Sequence, residues 1–180
     1  MQEILFEESQ RVGKFWRKIL YIIVLIISMF FIHGVIRQLY FDIPFGDEPL
    51  SDKGLLLTVM LAGLIISLTS ALILKINLIT IVKRDGLYFK YFPFHLKFKY
   101  YSKEQLKSFE VRKYNPILEY GGWGIRLGIF SRRGTAYNLT GNIGLQFTTM
   151  DDKKILIGTQ KPNEIDAVMM QVFPHAIIKN

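Results

Sequence analysis

Two stretches of the chain run without a formal charge for the width of a membrane. Residues 19–36 read ILYIIVLIISMFFIHGVI, and residues 55–74 read LLLTVMLAGLIISLTSALIL. At about 1.5 Å of rise per residue, helices of these lengths reach roughly 27 and 30 Å. That matches the hydrocarbon thickness of a bilayer. Soluble helices this long keep a polar face, and neither stretch has one. The first stretch exceeds the apolar part of a signal peptide, and no small-x-small cleavage pattern follows it. The pattern predicts a transmembrane helical hairpin.

Beyond residue 74 the period changes. Val, Ile, Tyr and Phe recur in short runs separated by turn residues, which predicts strands. The runs are Asn77–Lys83, Leu87–Phe92, Leu96–Tyr100, Leu106–Tyr114, Gly124–Phe130, Ala136–Leu139, Ile143–Met150 and Lys153–Gly158. Asp85-Gly86 is a strong hairpin turn. In the third run Leu96, Phe98 and Tyr100 alternate with Lys97 and Lys99, the pattern of a half-buried antiparallel strand. Ser102 and Gln105 are spaced for a capping box around one helical turn. The chain closes on a helix that follows Pro162, with Ile165, Val168, Met169, Val172 and Phe173 on one side and Pro174 as its stop. The fold class expected is α+β: the transmembrane hairpin, then an antiparallel β-barrel or sandwich with a C-terminal helix.

The segments are therefore an N-terminal piece 1–18, helices 19–36 and 55–74, a connecting loop 37–54 and a domain 75–180. The N-terminal piece, with Phe6, Val12, Phe15 and Trp16 among polar residues, is read as a helical, partly interfacial lead into the first span. Charge orients the hairpin. Arg11, Lys14, Arg17 and Lys18 precede it, and Lys75, Lys83 and Arg84 follow it. The loop holds Asp42, Asp47, Glu48 and Asp52 against Arg37 and Lys53. The positive-inside rule then puts both termini in the cytoplasm. Trp16 and Tyr21 at one end, and Tyr40 and Phe41 at the other, suit the interfacial aromatic belts. In the second span Gly63, Ser67 and Ala71 form a small-residue stripe that another helix, from a second copy or another membrane protein, could approach closely. His33 lies near the outer end of the first span, within reach of the interface.

Composition narrows the chemistry. Half of the 180 residues are hydrophobic and there is no cysteine, so disulfides, thiolate metal sites and cysteine nucleophiles are excluded together. His33, His95 and His175 lack metal-ligand spacing, and no nucleophile motif is present. No cofactor and no catalytic site are expected. Residues 75–180 hold 17 Lys and Arg against 8 Asp and Glu, a net charge of +9. The stretch YFPFHLKFKYY, residues 91–101, mixes bases with aromatics. Anionic lipid headgroups attract such a face. Nucleic acid is not expected, because neither a recognition helix nor an RNA-binding aromatic motif is visible. The membrane-surface contacts expected are Phe94, Lys97, Lys99 and Trp16.

The most unusual stretch is EYGGWGIR, residues 119–126. A phosphate-binding glycine loop opens a helix, whereas this one runs into the strand-like LGIFS. Two readings stand open. The glycines form an irregular strand or bulge that admits Trp123 to the core. Alternatively Trp123 and Arg126, with Tyr120 and Tyr137, form a surface for a ligand or partner. Arg126 could also pair with Glu119 across the turn.

Several pieces, in order, resemble small bacterial two-span membrane proteins that carry a bacterial pleckstrin-homology-like domain. They are Phe6 to Gln10 before a Trp-containing span, then Arg84 to Tyr88, Gly122 to Arg126, Asn138 to Gly144, and Ile157 to Pro162 leading into the last helix. The resemblance covers most of the chain. It implies a pleckstrin-homology-like barrel on a hairpin in the bacterial inner membrane, and little about activity. The functional expectation is a non-catalytic binding or scaffold module at the cytoplasmic membrane surface. The alternatives are an accessory subunit of a membrane transport or envelope complex, and, third, an enzyme whose site is not legible in sequence.

Overall fold

The computed structural model describes residues 3–127 and 133–178. These fall into two compact units: residues 13–75, and residues 1–12 together with 76–180.

The first unit is a helical hairpin, α1 (Lys14–Leu39) and α2 (Asp52–Lys75). Both helices are long and apolar enough to cross a membrane, and the chain itself buries almost none of their side chains. They outrun the apolar stretches because the polar flanks stay helical. The connecting residues are tied to the end of α1. The Gln38 side-chain amide donates to Leu50 O at 2.8 Å and to Asp52 Oδ1 at 2.9 Å. Phe45 packs edge-on against Phe30 and lies against Gly34, where a side chain would collide with its ring.

The second unit begins with a correction. Residues 4–11 are not helical; they form strand β1 (Ile4–Arg11). It pairs antiparallel with β2 (Asn77–Lys83), with Glu8 opposite Thr80 and Arg11 opposite Asn77. The helical hairpin is thus inserted between two neighbouring strands. Phe6, Glu8 and Gln10 face inward while Glu7, Ser9 and Arg11 face out. The period is that of a strand. Two of its three inward residues are polar, which hides the alternation from a hydrophobicity pattern.

β2 turns through Arg84 and Asp85 into β3 (Gly86–Phe92), and β3 pairs with β4 (Lys99–Ser102). The order β1-β2-β3-β4 makes a four-stranded antiparallel sheet. The expected strand Leu96–Tyr100 starts late, at Lys99. Its alternating apolar residues are exposed, Leu96 at 77% and Phe98 at 42%, because Pro93–Phe98 is a loop beyond the sheet.

After a single 3-10 turn, in which Ser102 N donates to Gln105 Oε1, come β5 (Leu106–Lys113) and a short helix, α3 (Pro116–Tyr120). Then follow β6 (Gly124–Arg126), β7 (Thr135–Asn138), β8 (Ile143–Thr149), β9 (Lys154–Gly158), α4 (Pro162–Val172) and β10 (Ile177–Ile178). The strand expected over Gly124–Phe130 ends at Arg126 among the described residues; 128–130 lie outside them. The second sheet has the order β10-β5-β8-β9-β7-β6. It is not wholly antiparallel: β7 runs parallel to β9, and β10 parallel to β5. The described strands form two sheets rather than one closed barrel.

The inner faces of both sheets and one side of α4 share a core. Leu78, Phe89, Phe109, Leu145, Phe147 and Ile157 meet Ile165, Met169 and Phe173 there, all with essentially no exposure. On α4, Ile165, Met169 and Val172 fall at i, i+4 and i+7, the stripe that a helix lays on a sheet.

Candidate functional site

The structure divides the residues singled out around EYGGWGIR. Tyr120, the last residue of α3, is buried and edge-on to Tyr114 at 5.9 Å. Tyr137 is buried in the main core, and its hydroxyl accepts from Lys99 Nζ at 2.7 Å. Trp123 is 42% exposed, so it does not fill the core; its Nε1 donates to Gly141 O at 3.0 Å. Arg126 is exposed at the end of β6. Only Trp123 and Arg126 therefore stand at the surface.

The glycines serve a helix end that the sequence reading missed. Asn115 caps α3, its Oδ1 accepting from the amides of Ile117 and Leu118 at 3.1 and 3.0 Å. Pro116 sits at the first helical position, where its missing N–H costs nothing. Gly121, at φ +73°, ends the helix in the left-handed region and returns hydrogen bonds to Ile117 and Pro116. Gly122 continues at φ +120°, with the Arg126 guanidinium lying where its side chain would be. The signal was present as Asn-Pro followed by Glu119 and Gly121, inside a stretch that the strand pattern left unassigned.

Glu119 does not pair with Arg126. Its Oε1 accepts from Asn115 N at 2.8 Å, closing the first turn of α3. Its Oε2 binds Arg112 Nη2 at 2.8 Å and Arg133 Nη1 at 3.3 Å. Burial works to raise its carboxyl, but the Arg112 hydrogen bond, the Asn115 amide and both guanidinium charges prevail and hold it below the ordinary value. Beside this joint lies an open cleft of about 720 Å³ lined by Tyr114, Asn115, Ile117, Glu119, Trp123 and Asn142. Ile117 and Leu118 stand exposed on α3.

Two buried polar joints were not foreseen. Asn138 has no exposure; its Oδ1 accepts from Gly124 N at 2.8 Å and its Nδ2 donates to Tyr114 Oη at 3.0 Å. It ties β6, and Tyr114 just past the end of β5, to β7. The other joint unites the first and last motifs of the chain. Glu8 Oε2 accepts from Thr159 Oγ1 at 2.6 Å, and its Oε1 accepts from Gln160 N at 2.7 Å, just before α4. Gln10 Nε2 donates to Gly158 O at 2.6 Å. β1 is thereby fastened to the turn between β9 and α4.

The residues expected at a membrane surface also separate. Phe94 and Lys97 are exposed in the β3–β4 loop. Lys99 is not a free surface base, since it is half-buried over the Tyr137 ring and bonded to that hydroxyl. Trp16, on α1, is exposed and edge-on to Phe15. Gly63, Ser67 and Ala71 stand exposed on α2, with open space beside Gly63. Of the three histidines, His33 lies on α1. His95 packs between Phe89 and Tyr137, and His175 Nε2 lies 2.7 Å from Lys103 O. Among the described residues no three His, Asp or Glu side chains converge as metal ligands.

Burial, and secondly the charge of Lys99, push the His95 imidazole below its ordinary value. Its Nδ1 accepts from Tyr91 N at 3.3 Å, which requires that nitrogen unprotonated. Burial pushes the Tyr91 phenol up to about 12, against the opposing pull of Arg126. The Tyr91 N–His95 Nδ1 bond, with His95 N donating to Tyr91 O at 2.8 Å, ties the start of the β3–β4 loop back to β3. No family model, curated protein or solved structure matches the chain.

Proposed function

We propose that the protein is a two-span protein of the bacterial cytoplasmic membrane whose β domain is a pleckstrin-homology-like binding or scaffold module, without catalysis of its own. One observation carries this reading: the apolar hairpin is inserted between β1 and β2, which pair up to Arg11 and Asn77. Strands that pair must lie on the same side of a bilayer, so a hairpin between them crosses an even number of times. The acidic loop between the helices and the basic residues around them favour the cytoplasm for the domain. The net charge of +9 over residues 75–180 suits an anionic leaflet, where each base near the surface contributes about 1 kcal/mol. Two sheets closed by α4 support the pleckstrin-homology-like reading of the domain.

A second reading makes the chain an accessory subunit of a membrane complex. It is favoured by the uncovered stripe Gly63, Ser67 and Ala71, since small residues let another helix approach closely. Purification in mild detergent, with mass spectrometry of bound lipids and proteins, separates the two. Anionic lipid without a stoichiometric protein supports the module; a stoichiometric membrane protein moves the conclusion to the subunit. A reporter fused after Asn180 should be active only in its cytoplasmic form, and activity on the far side would overturn the topology.

A further inference from the structure

The β3–β4 loop carries a compact run of large apolar side chains that are exposed. Within Phe94–Phe98, Phe94 is 67% exposed, Leu96 77% and Phe98 42%. Lys97 is exposed among them, and Lys90 Nζ lies 5.8 Å from the centre of the Phe98 ring. Apolar tips edged with bases are built for the boundary between headgroups and acyl chains.

Register fixes where this loop sits. Asn77 pairs with Arg11 on one side and with Phe92 on the other. Arg11, Asn77 and Phe92 therefore lie in one row, neighbouring strands being about 5 Å apart. β1 leads to α1 through Val12 and Gly13, and α2 leads to β2 through Ile76. Links this short span at most about 10 Å, and both leave the sheet at this end. The opposite end, about 20 Å away along β2, carries Lys83, Arg84 and Asp85, with the exposed Ile4 of β1 beside Lys83.

We infer that the β3–β4 loop enters the bilayer interface, with Phe94, Leu96 and Phe98 at the acyl boundary and Lys97 among anionic headgroups. It would give the domain a third attachment besides its two peptide links, and so limit its rotation on the membrane. The inference rests on the membrane reading above. A second copy or a protein partner is the competing occupant, and connectivity favours lipid, because both helix junctions lie at the same end of the sheet.

The absence of cysteine makes the test direct. Leu96→Cys, Arg84→Cys and Leu25→Cys are introduced singly into the full chain and spin-labelled. Each is reconstituted in nanodiscs of phosphatidylcholine and phosphatidylglycerol. Collision with a water-soluble nickel chelate and with oxygen then reports depth. The label at Leu96 should meet nickel several-fold less often than the label at Arg84, and oxygen more often. If Leu96 is as wet as Arg84 while Leu25 is deep, the loop inference fails and the membrane reading stands. If Leu25 is also wet, both fall. Spin–spin broadening at Leu96 that vanishes on dilution with unlabelled chain would assign the loop to a second copy. In phosphatidylcholine alone the protection should weaken, and unchanged protection would overturn the role given to Lys97.

Discussion

Glu8 and Glu119 do the same job at two scales. Each carboxylate organises the start of a helix, and each joins that helix to a strand. Glu119 reaches Asn115 four residues away, inside the helix it closes, and shares its charge with Arg112 and Arg133. Glu8 reaches Thr159 and Gln160 from the other end of the chain, and its bonds come from a hydroxyl and a backbone amide. The first joint is local, and its loss should stay local. The second closes the sheet against the last helix, so its loss should spread. Part-exposed charges also have water as a substitute partner, whereas a buried donor that loses its acceptor has none.

Glu8→Ala gives the largest expected effect. It removes the acceptor of the buried Thr159 hydroxyl and of the part-buried Gln160 amide, and an unsatisfied buried donor costs about 1–3 kcal/mol, so a loss of about 2–3 kcal/mol is expected. Hydrogen exchange of the full chain in micelles should show faster exchange through β1 and the start of α4. Exchange confined to residue 8 and its neighbours would show that the two joints differ less than the structure implies. Glu8→Gln, which keeps one acceptor oxygen, should fall between.

Glu119→Ala should cost about 1–2 kcal/mol, the range for losing a helix-start contact, with faster exchange limited to α3 and the end of β5. If its exchange change reaches β8 or α4, the joint is not local. Trp123→Ala should cost only about 1 kcal/mol, because the ring is part-exposed and loses one hydrogen bond to Gly141. A buried tryptophan would cost about 3–5 kcal/mol, and a loss that large would return Trp123 to the core. Arg126→Ala should leave stability within about 0.5 kcal/mol, as surface changes do.

The smallest effect is a pH dependence. His95 is held below its ordinary value, so on acidification the unfolded chain takes up this proton before the folded one. Stability should therefore fall as the pH drops through about 6.5 towards the folded value. Denaturant unfolding of the parent and His95→Gln across that range should show a component present only in the parent. Equal pH profiles would remove His95 from the balance.

How legible these features were depends on what drives a side chain inward. Apolar side chains turn inward because burial removes them from water, and polar ones only where a partner satisfies their hydrogen bonds. Leu87, Phe89 and Tyr91 alternate plainly, and β3 was found. In β1 the inward residues are Phe6, Glu8 and Gln10, and the hydrogen-bond partners of Glu8 and Gln10 lie beyond residue 157, so the same period was unreadable. Leu96, Phe98 and Tyr100 show the converse. Their alternation predicts a buried strand, yet Leu96 and Phe98 stand exposed in the loop before β4, and only Tyr100 lies in that strand, stacked on Tyr88.

The amino-acid sequence alone determined the two long apolar helices, the acidic loop between basic flanks, most strands of the second unit, and the amphipathic last helix. Those features depend on the run length or period of side chains that neighbour one another along the chain. Only the tertiary structure decided that β1 joins β2 around the hairpin, that β7 runs parallel to β9, that Trp123 stays at the surface while Tyr120 and Tyr137 do not, and that Glu8 meets Thr159. Each of those depends on a partner far away in sequence, and a hydrogen-bond donor or a covering side chain leaves no local trace in the residues that it will meet.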